Sequence, residues 1–94
     1  MERLSDSEID ERLAALSPDW QREGATIARD LELAGFTAAI AFVNAVAALA
    51  EEANHHPDIL IHDYKRVRLT LSTHAAGGLT EHDFALAGAI DALS

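Results

Sequence analysis

Eight consecutive residues, Glu51-Glu52-Ala53-Asn54-His55-His56-Pro57-Asp58, crowd carboxylates, an amide, paired imidazoles and a proline into one short stretch. Imidazole titrates ordinarily near neutral pH, so two such rings facing one cavity can divide the work of general acid and general base. Proton transfer is the chemistry this stretch suits best. Proline lacks a backbone N–H and disfavours a helical residue before it, so the apolar helix running up to Glu51 is expected to end near His56. The histidines then stand at a helix C-terminus, where unpaired carbonyls carry partial negative charge. Glu51 precedes His55 by four residues, which puts its carboxylate on the same helix face, in position to orient that ring.

A second polar group, Ser72-Thr73-His74, closes an alternating run. Val67, Leu69, Leu71 and Thr73 face one side of a strand and Arg68, Thr70, Ser72 and His74 the other, so parity sets His74 on the polar face at the strand's exit. Glu51, Asn54, His55, His56, Ser72, Thr73 and His74 are thus the polar candidates with a common destination. His55, His56, His74 and an acid could also supply metal ligands, but adjacent histidines rarely point at one ion and the H-E-x-x-H spacing is absent. No G-x-S-x-G elbow is present to expose a serine nucleophile. His62 reads as a strand residue and His82 as a first-turn helix residue, and both are left outside the site. Trp20 fits a sheet-edge core position, although an aromatic wall beside a flat heterocycle has the same signature.

The elements that must carry these groups are legible in turn. Ser5 with Glu8 forms a capping box, with Leu4 and Ile9 at staple positions, and the helix they start ends at Pro18. Residues 20–23 fit an edge strand, and a turn near Gly24-Ala25 leads to a second strand with Ile27, Arg29, Leu31 and Leu33 on one side. From Phe36 the period becomes helical. Phe36, Ile40, Val43 and Ala47 form one stripe and Ala39, Phe42, Val46 and Leu49 the next, leaving Thr37, Ala41, Asn44, Ala48 and Glu51 to solvent or a second subunit. Residues 58–64 make a third strand, joined through Lys65-Arg66 to the fourth. After a flexible loop at 75–78, Thr80 and Asp83 form another capping box on a last helix that buries Leu86, Ala89, Ile90 and Leu93. The order α-β-β-α-β-β-α predicts one α+β domain over residues 1–94, a four-stranded antiparallel sheet with helices packed on one face.

Seven basic against sixteen acidic residues give a net charge of −9. That is the wrong sign for tracking phosphates, so direct nucleic-acid binding is not expected. With no cysteine, disulfides and thiolate metal sites are excluded. The first six residues are too charged for a signal peptide, and the run 33–50 is too weakly hydrophobic to be preferred as a membrane span. A cytoplasmic protein is the expectation.

Taken together, Glu51-x-x-x-His55-His56-Pro57, then Tyr64, Ser72-Thr73-His74 and Gly78-Leu79-Thr80-x-x-Asp83 resemble the pterin-4a-carbinolamine dehydratases in order and spacing. Trp20, Phe36 and the helical run fit as well, so the resemblance covers nearly the whole chain. It implies a hydro-lyase, a 4a-hydroxytetrahydrobiopterin dehydratase that converts 4a-hydroxytetrahydropterin to quinonoid dihydropterin and recycles the pterin of aromatic amino-acid hydroxylases. No metal or organic cofactor is implied, and a homodimer or homotetramer is. His55, His56 and His74 would form the site, with His55 and His74 as the acid–base pair and His56 positioning substrate. Glu51 would orient an imidazole or bind the pterin, and Ser72 and Thr73 would hold its ring. Asn54, Pro57, Trp20 and Asp83 complete the implied substrate-binding set, Asn54 standing where the animal enzymes carry Asp. The alternative on the same fold is a non-catalytic pterin-binding, coactivator or protein-assembly module. Retention of all three histidines favours the enzyme.

Overall fold

A computed structural model describes residues 2–93. The elements are α1 (Asp6–Ala14), β1 (Gln21–Glu23), β2 (Thr26–Glu32), α2 (Phe36–Ala53), β3 (Asp58–His62), β4 (Arg66–Leu71), a 3₁₀ turn (His74–Ala76) and α3 (Glu81–Asp91). This is the expected order. The strands form one antiparallel sheet, β1-β2-β4-β3.

Alternation decides which side of the sheet is covered. Ile27, Val67, Leu69 and Leu71 are fully buried beneath the helices, whereas Asp30, Glu32, Arg66 and Arg68 point to the other face. There Arg68 bridges Glu23 and Asp30, and Arg66 lies beside Glu32. Both expected capping boxes form, Ser5 with Glu8 on α1 and Thr80 with Asp83 on α3. Each satisfies orphan N–H groups that a helix start leaves open. The Ser5 N–H holds the Glu8 carboxyl below its ordinary range, and the Arg12 guanidinium does the same to Glu81, tying α1 to α3.

Arg29 shares the covered face with Ile27, as the alternation predicts, and its burial is made tolerable by Asp91 at the end of α3. Asp91 Oδ1 accepts from Arg29 Nη1 at 2.6 Å and from Trp20 Nε1 at 2.8 Å, while Oδ2 accepts the Ser17 N–H at 2.9 Å. One carboxylate therefore fastens β2, the entry to β1 and the chain after α1 to the last helix.

Several boundaries differ from the sequence reading. α1 stops at Ala14, before Pro18 can act, because Ala15 and Leu16 donate to Arg12 and Leu13 in a tightened last turn. Leu33 lies past the end of β2, and Trp20 precedes β1. β3 ends at His62, and the turn is made by Asp63 and Tyr64 at φ 48° and 52°, which leaves Arg66 in β4 rather than in the turn. β4 itself ends at Leu71. The loop at 75–78 is not slack: Thr73 and Gly78 bridge across it, and Gly77 at φ 73° closes the 3₁₀ turn.

The larger correction concerns α2. Its buried residues are Ala39, Val46 and Ala50, with Phe42, Val43 and Leu49 packed beside them, so the second predicted stripe faces the core. Phe36 and Ile40 of the first stripe stay exposed, Phe36 at 56%. On α3, Phe84 and Ala87 join Leu86 and Ile90 inside, and Leu93 stays outside. α2 is long and apolar enough to cross a membrane by length and composition alone, with a mean hydropathy of 1.4. It packs against α3 and β4.

Replacing Asp91 by Ala should remove the nearest carboxylate from the mostly buried Arg29, whose pairing with Asp19 at 3.8 Å remains, and lower unfolding stability by about 3 kcal/mol, the lower end for a broken buried pair. Urea unfolding measures this, and a loss under about 1 kcal/mol would show the network to be a solvated surface feature.

Candidate active site

The site is assembled from two chain exits and one helix entry. At the end of α2, Asn54 adopts the left-handed conformation, φ 50° and ψ 42°. Its N–H donates to Glu51 O at 3.2 Å and that of His55 to Ala50 O at 3.0 Å, the paired bonds of a Schellman closure. Asn tolerates this conformation better than most residues. The helix therefore stops at Ala53, earlier than Pro57 alone requires, and the chain turns through His55 and His56 into β3.

That turn changes the partners expected from spacing. Glu51 does not pair with His55 four residues on. Its Oε2 lies 2.8 Å from His56 Nε2, on the exposed surface. His55 swings away from this face of α2 and reaches the first turn of α3, where its Nε2 lies 2.6 Å from Asp83 Oδ1.

Asp83 is fully buried. Its Oδ2 accepts the Thr80 N–H at 2.9 Å and the Thr73 hydroxyl at 2.8 Å, and Thr73 also meets the Thr80 hydroxyl at 2.9 Å. A buried carboxylate needs such donors to be stable. As an acceptor it takes the Nε2 proton of His55, which leaves Nδ1 as the ring's available nitrogen. Asp83, counted among substrate-binding residues from the sequence, thus touches His55 from inside the protein.

His74 opens the 3₁₀ turn after β4 and is exposed. A small cavity of about 40 Å³ lies on the helix-free face of the sheet, lined by Thr26, His56, Asp58, Thr70, Ser72 and His74. It brings together His56 and His74 from the two polar stretches. Ser72 reaches it while donating to Ala25 O at 2.8 Å, which pins the β1–β2 turn to the exit of β4. Two water-sized volumes is about its capacity, enough for one edge of a flat ring and not for a bicycle.

Among the other candidates, Thr73 is turned toward Asp83 and Thr80 rather than the cavity. Asn54 and Pro57 shape the turn that presents the histidines. Trp20 stands apart in the core, 5% exposed, with its indole N–H on Asp91. His62 lies near Asp63, away from this cluster. Thr26, Asp58 and Thr70 were not among the site candidates drawn from the sequence. Register could have joined Asp58 to Thr70, since Asp58 and Ala28 both pair with Thr70. His82 was likewise left outside, yet its ring stacks on that of His55, with centroids 5.7 Å apart and planes at 29°. Among the described residues no group of three or more His, Asp or Glu side chains is placed to hold a metal.

Comparison with known proteins places the whole described chain in one family. Residues 2–93 match a family model described as "Pterin 4 alpha carbinolamine dehydratase". A protein of Chloroflexus aurantiacus, provisionally named pterin-4-alpha-carbinolamine dehydratase, is 64% identical over 91 residues, covering 97% of this chain and 96% of its own. One from Acidobacterium capsulatum with the same provisional name is 55% identical over 93 residues, covering 99% of each chain. Among solved structures, a transcriptional coactivator/pterin dehydratase from Brucella melitensis superimposes with a TM-score of 0.91 at 36% identity, covering 98% of both chains. A pterin dehydratase-like protein identified as a RuBisCO assembly factor in the alpha-carboxysome superimposes at 0.62, with 29% identity over 79% of this chain and 84% of that one.

The convergence on Asp83 generates a stability test. Thr80→Ala removes a cap and should cost about 1–2 kcal/mol. Asp83→Asn leaves donors facing an amide and should cost more, about 2–4 kcal/mol. Equal and small losses in chemical denaturation would mean that the carboxylate is only a cap.

Proposed function

This chain belongs to the pterin 4 alpha carbinolamine dehydratase family, and on that premise we propose that it dehydrates 4a-hydroxytetrahydropterin to quinonoid dihydropterin by histidine acid–base catalysis. The observation that carries this reading is the meeting of His56 and His74 in one cavity; His55 does not line that cavity and joins the site through the chain at His56, its Nε2 held by buried Asp83.

The reaction breaks the C4a–O bond and forms the C4a=N5 double bond. The hydroxyl leaves as water after receiving one proton, the N5 proton goes to a base, and no electrons are exchanged with another reagent. An acid and a base must therefore flank one ring. In this proposal His55 and His74 are that pair, with Nδ1 of His55 the working nitrogen. His56, steadied by Glu51, orients the pterin, and Ser72 meets its polar edge at the cavity wall. Because the chemistry is proton transfer alone, neither metal nor organic cofactor is assigned. The product would return to a tetrahydropterin-dependent hydroxylase, such as an aromatic amino-acid hydroxylase, in the cytoplasm.

The same fold supports a second reading, since a pterin dehydratase-like relative is described as a RuBisCO assembly factor. Turnover separates the two. His55→Ala and His74→Ala should each lower kcat by about 10²–10⁴, the range for a positioned acid or base. His56→Ala should act mainly on KM, as a loss of uniform binding does. The uncatalysed dehydration must be subtracted, and a chelator in the assay should leave the rate unchanged. Wild-type rates equal to the uncatalysed rate would hand the protein to the assembly reading.

Exposed Phe36 and Ile40 on α2 also support a homo-oligomer, dimer or tetramer, because an apolar helix face is costly to leave in water. Light scattering at micromolar concentration should give at least a dimer, and Phe36→Asp with Ile40→Lys should shift it toward monomer. A wild-type monomer contradicts the proposal.

A further inference from the structure

Two consecutive residues of the first turn of α3 touch one histidine from two directions. Asp83 holds the edge of His55 through Nε2 at 2.6 Å, and His82 lies over its face at a centroid distance of 5.7 Å and 29° between planes. We propose that His82 is a positioning residue for the dehydration, its ring clamping the plane of His55 so that Nδ1 stays aimed at the substrate. The role rests on the dehydratase reading above.

A single hydrogen bond fixes one ring nitrogen but leaves the ring free to pivot about the Nε2···Oδ1 line. A ring stacked on one face blocks that pivot and keeps water off that face. Offset stacking is the favoured geometry for such pairs. The placement of His82 follows from the same capping box that places Asp83, since its own N–H donates to Thr80 Oγ1 at 3.3 Å. Carboxylates on either side of it in sequence are engaged elsewhere: Glu81 with Arg12, and Asp83 with Thr73, Thr80 and His55. The ring contact with His55 is the one interaction that the His82 side chain makes among the described residues. An imidazole with no hydrogen bond of its own contributes here as a flat surface, which any planar ring can supply.

The test compares His82→Ala, which removes the ring, with His82→Phe, which returns a flat ring without its nitrogens. Because an orienting contact on an acid–base group acts in the transition state, the loss should appear in kcat and not in KM. His82→Ala should lower kcat about threefold to tenfold, the span expected for one aromatic pair, with KM within about twofold. Thermal unfolding should not move, because the side chain is exposed. In NMR spectra of the imidazole groups, the His55 ring signals should lose the ring-current shift and broaden in His82→Ala. His82→Phe should restore both kcat and the His55 signals.

A wild-type kcat in His82→Ala overturns the positioning role, whatever the spectra show. Failure of His82→Phe to restore kcat overturns the clamp in favour of a role for the imidazole nitrogens. Absence of turnover in the wild-type protein overturns the dehydratase reading and this role together, and the His55 spectra then still decide whether the stack exists.

Discussion

The carboxylate of Asp83 is the constraint on which the site depends. Fully withdrawn from water, it must find its donors inside the protein, and it finds them on three segments: the N–H of Thr80 at the start of α3, the hydroxyl of Thr73 after β4, and His55 after α2. An unpaired buried charge costs several kcal/mol, so the three segments are held in one arrangement rather than merely close to one another. The histidines on either side of this junction inherit their positions from it. His74 follows Thr73 directly in the chain, and His56 follows His55.

α3 carries a second such acid at its far end. Asp91 sits where a helix disfavours negative charge, and Arg29, Trp20 and Ser17 compensate it. One helix therefore joins two polar junctions a little over two turns apart. The first organises the site, and the second secures the sheet edge and α1. Between them Leu86, Ala87 and Ile90 supply the apolar contacts.

The relatives show why the site, and not the fold, has to carry the functional reading. One solved relative is described as a transcriptional coactivator/pterin dehydratase, and another, pterin dehydratase-like, as an assembly factor, and both superimpose on this chain. A fold positions side chains and leaves their chemistry to the residues present. This chain has His56 and His74 lining one cavity and His55 on buried Asp83, together with an α2 face whose phenylalanine and isoleucine remain uncovered in a single copy.

The sequence by itself determined the element order, both capping boxes, the sheet parity that buries Ile27 and Arg29 together, and the family. These follow from short-range rules: a helix repeats every 3.6 residues, a strand every two, and a capping residue speaks to a neighbour three positions on. Tertiary structure decided the rest. The left-handed turn at Asn54 broke the four-residue spacing from Glu51 to His55 and gave the acid to His56 instead. His55 then met Asp83 and His82, which lie on a helix that begins after two further strands. No periodicity links positions so far apart, because which distant residues meet is set by how the helices settle on the sheet. For the same reason, the alternation that marked Thr70 and Ser72 as one face could not say that Thr26 and Asp58 close the cavity around them, which required the register of three strands.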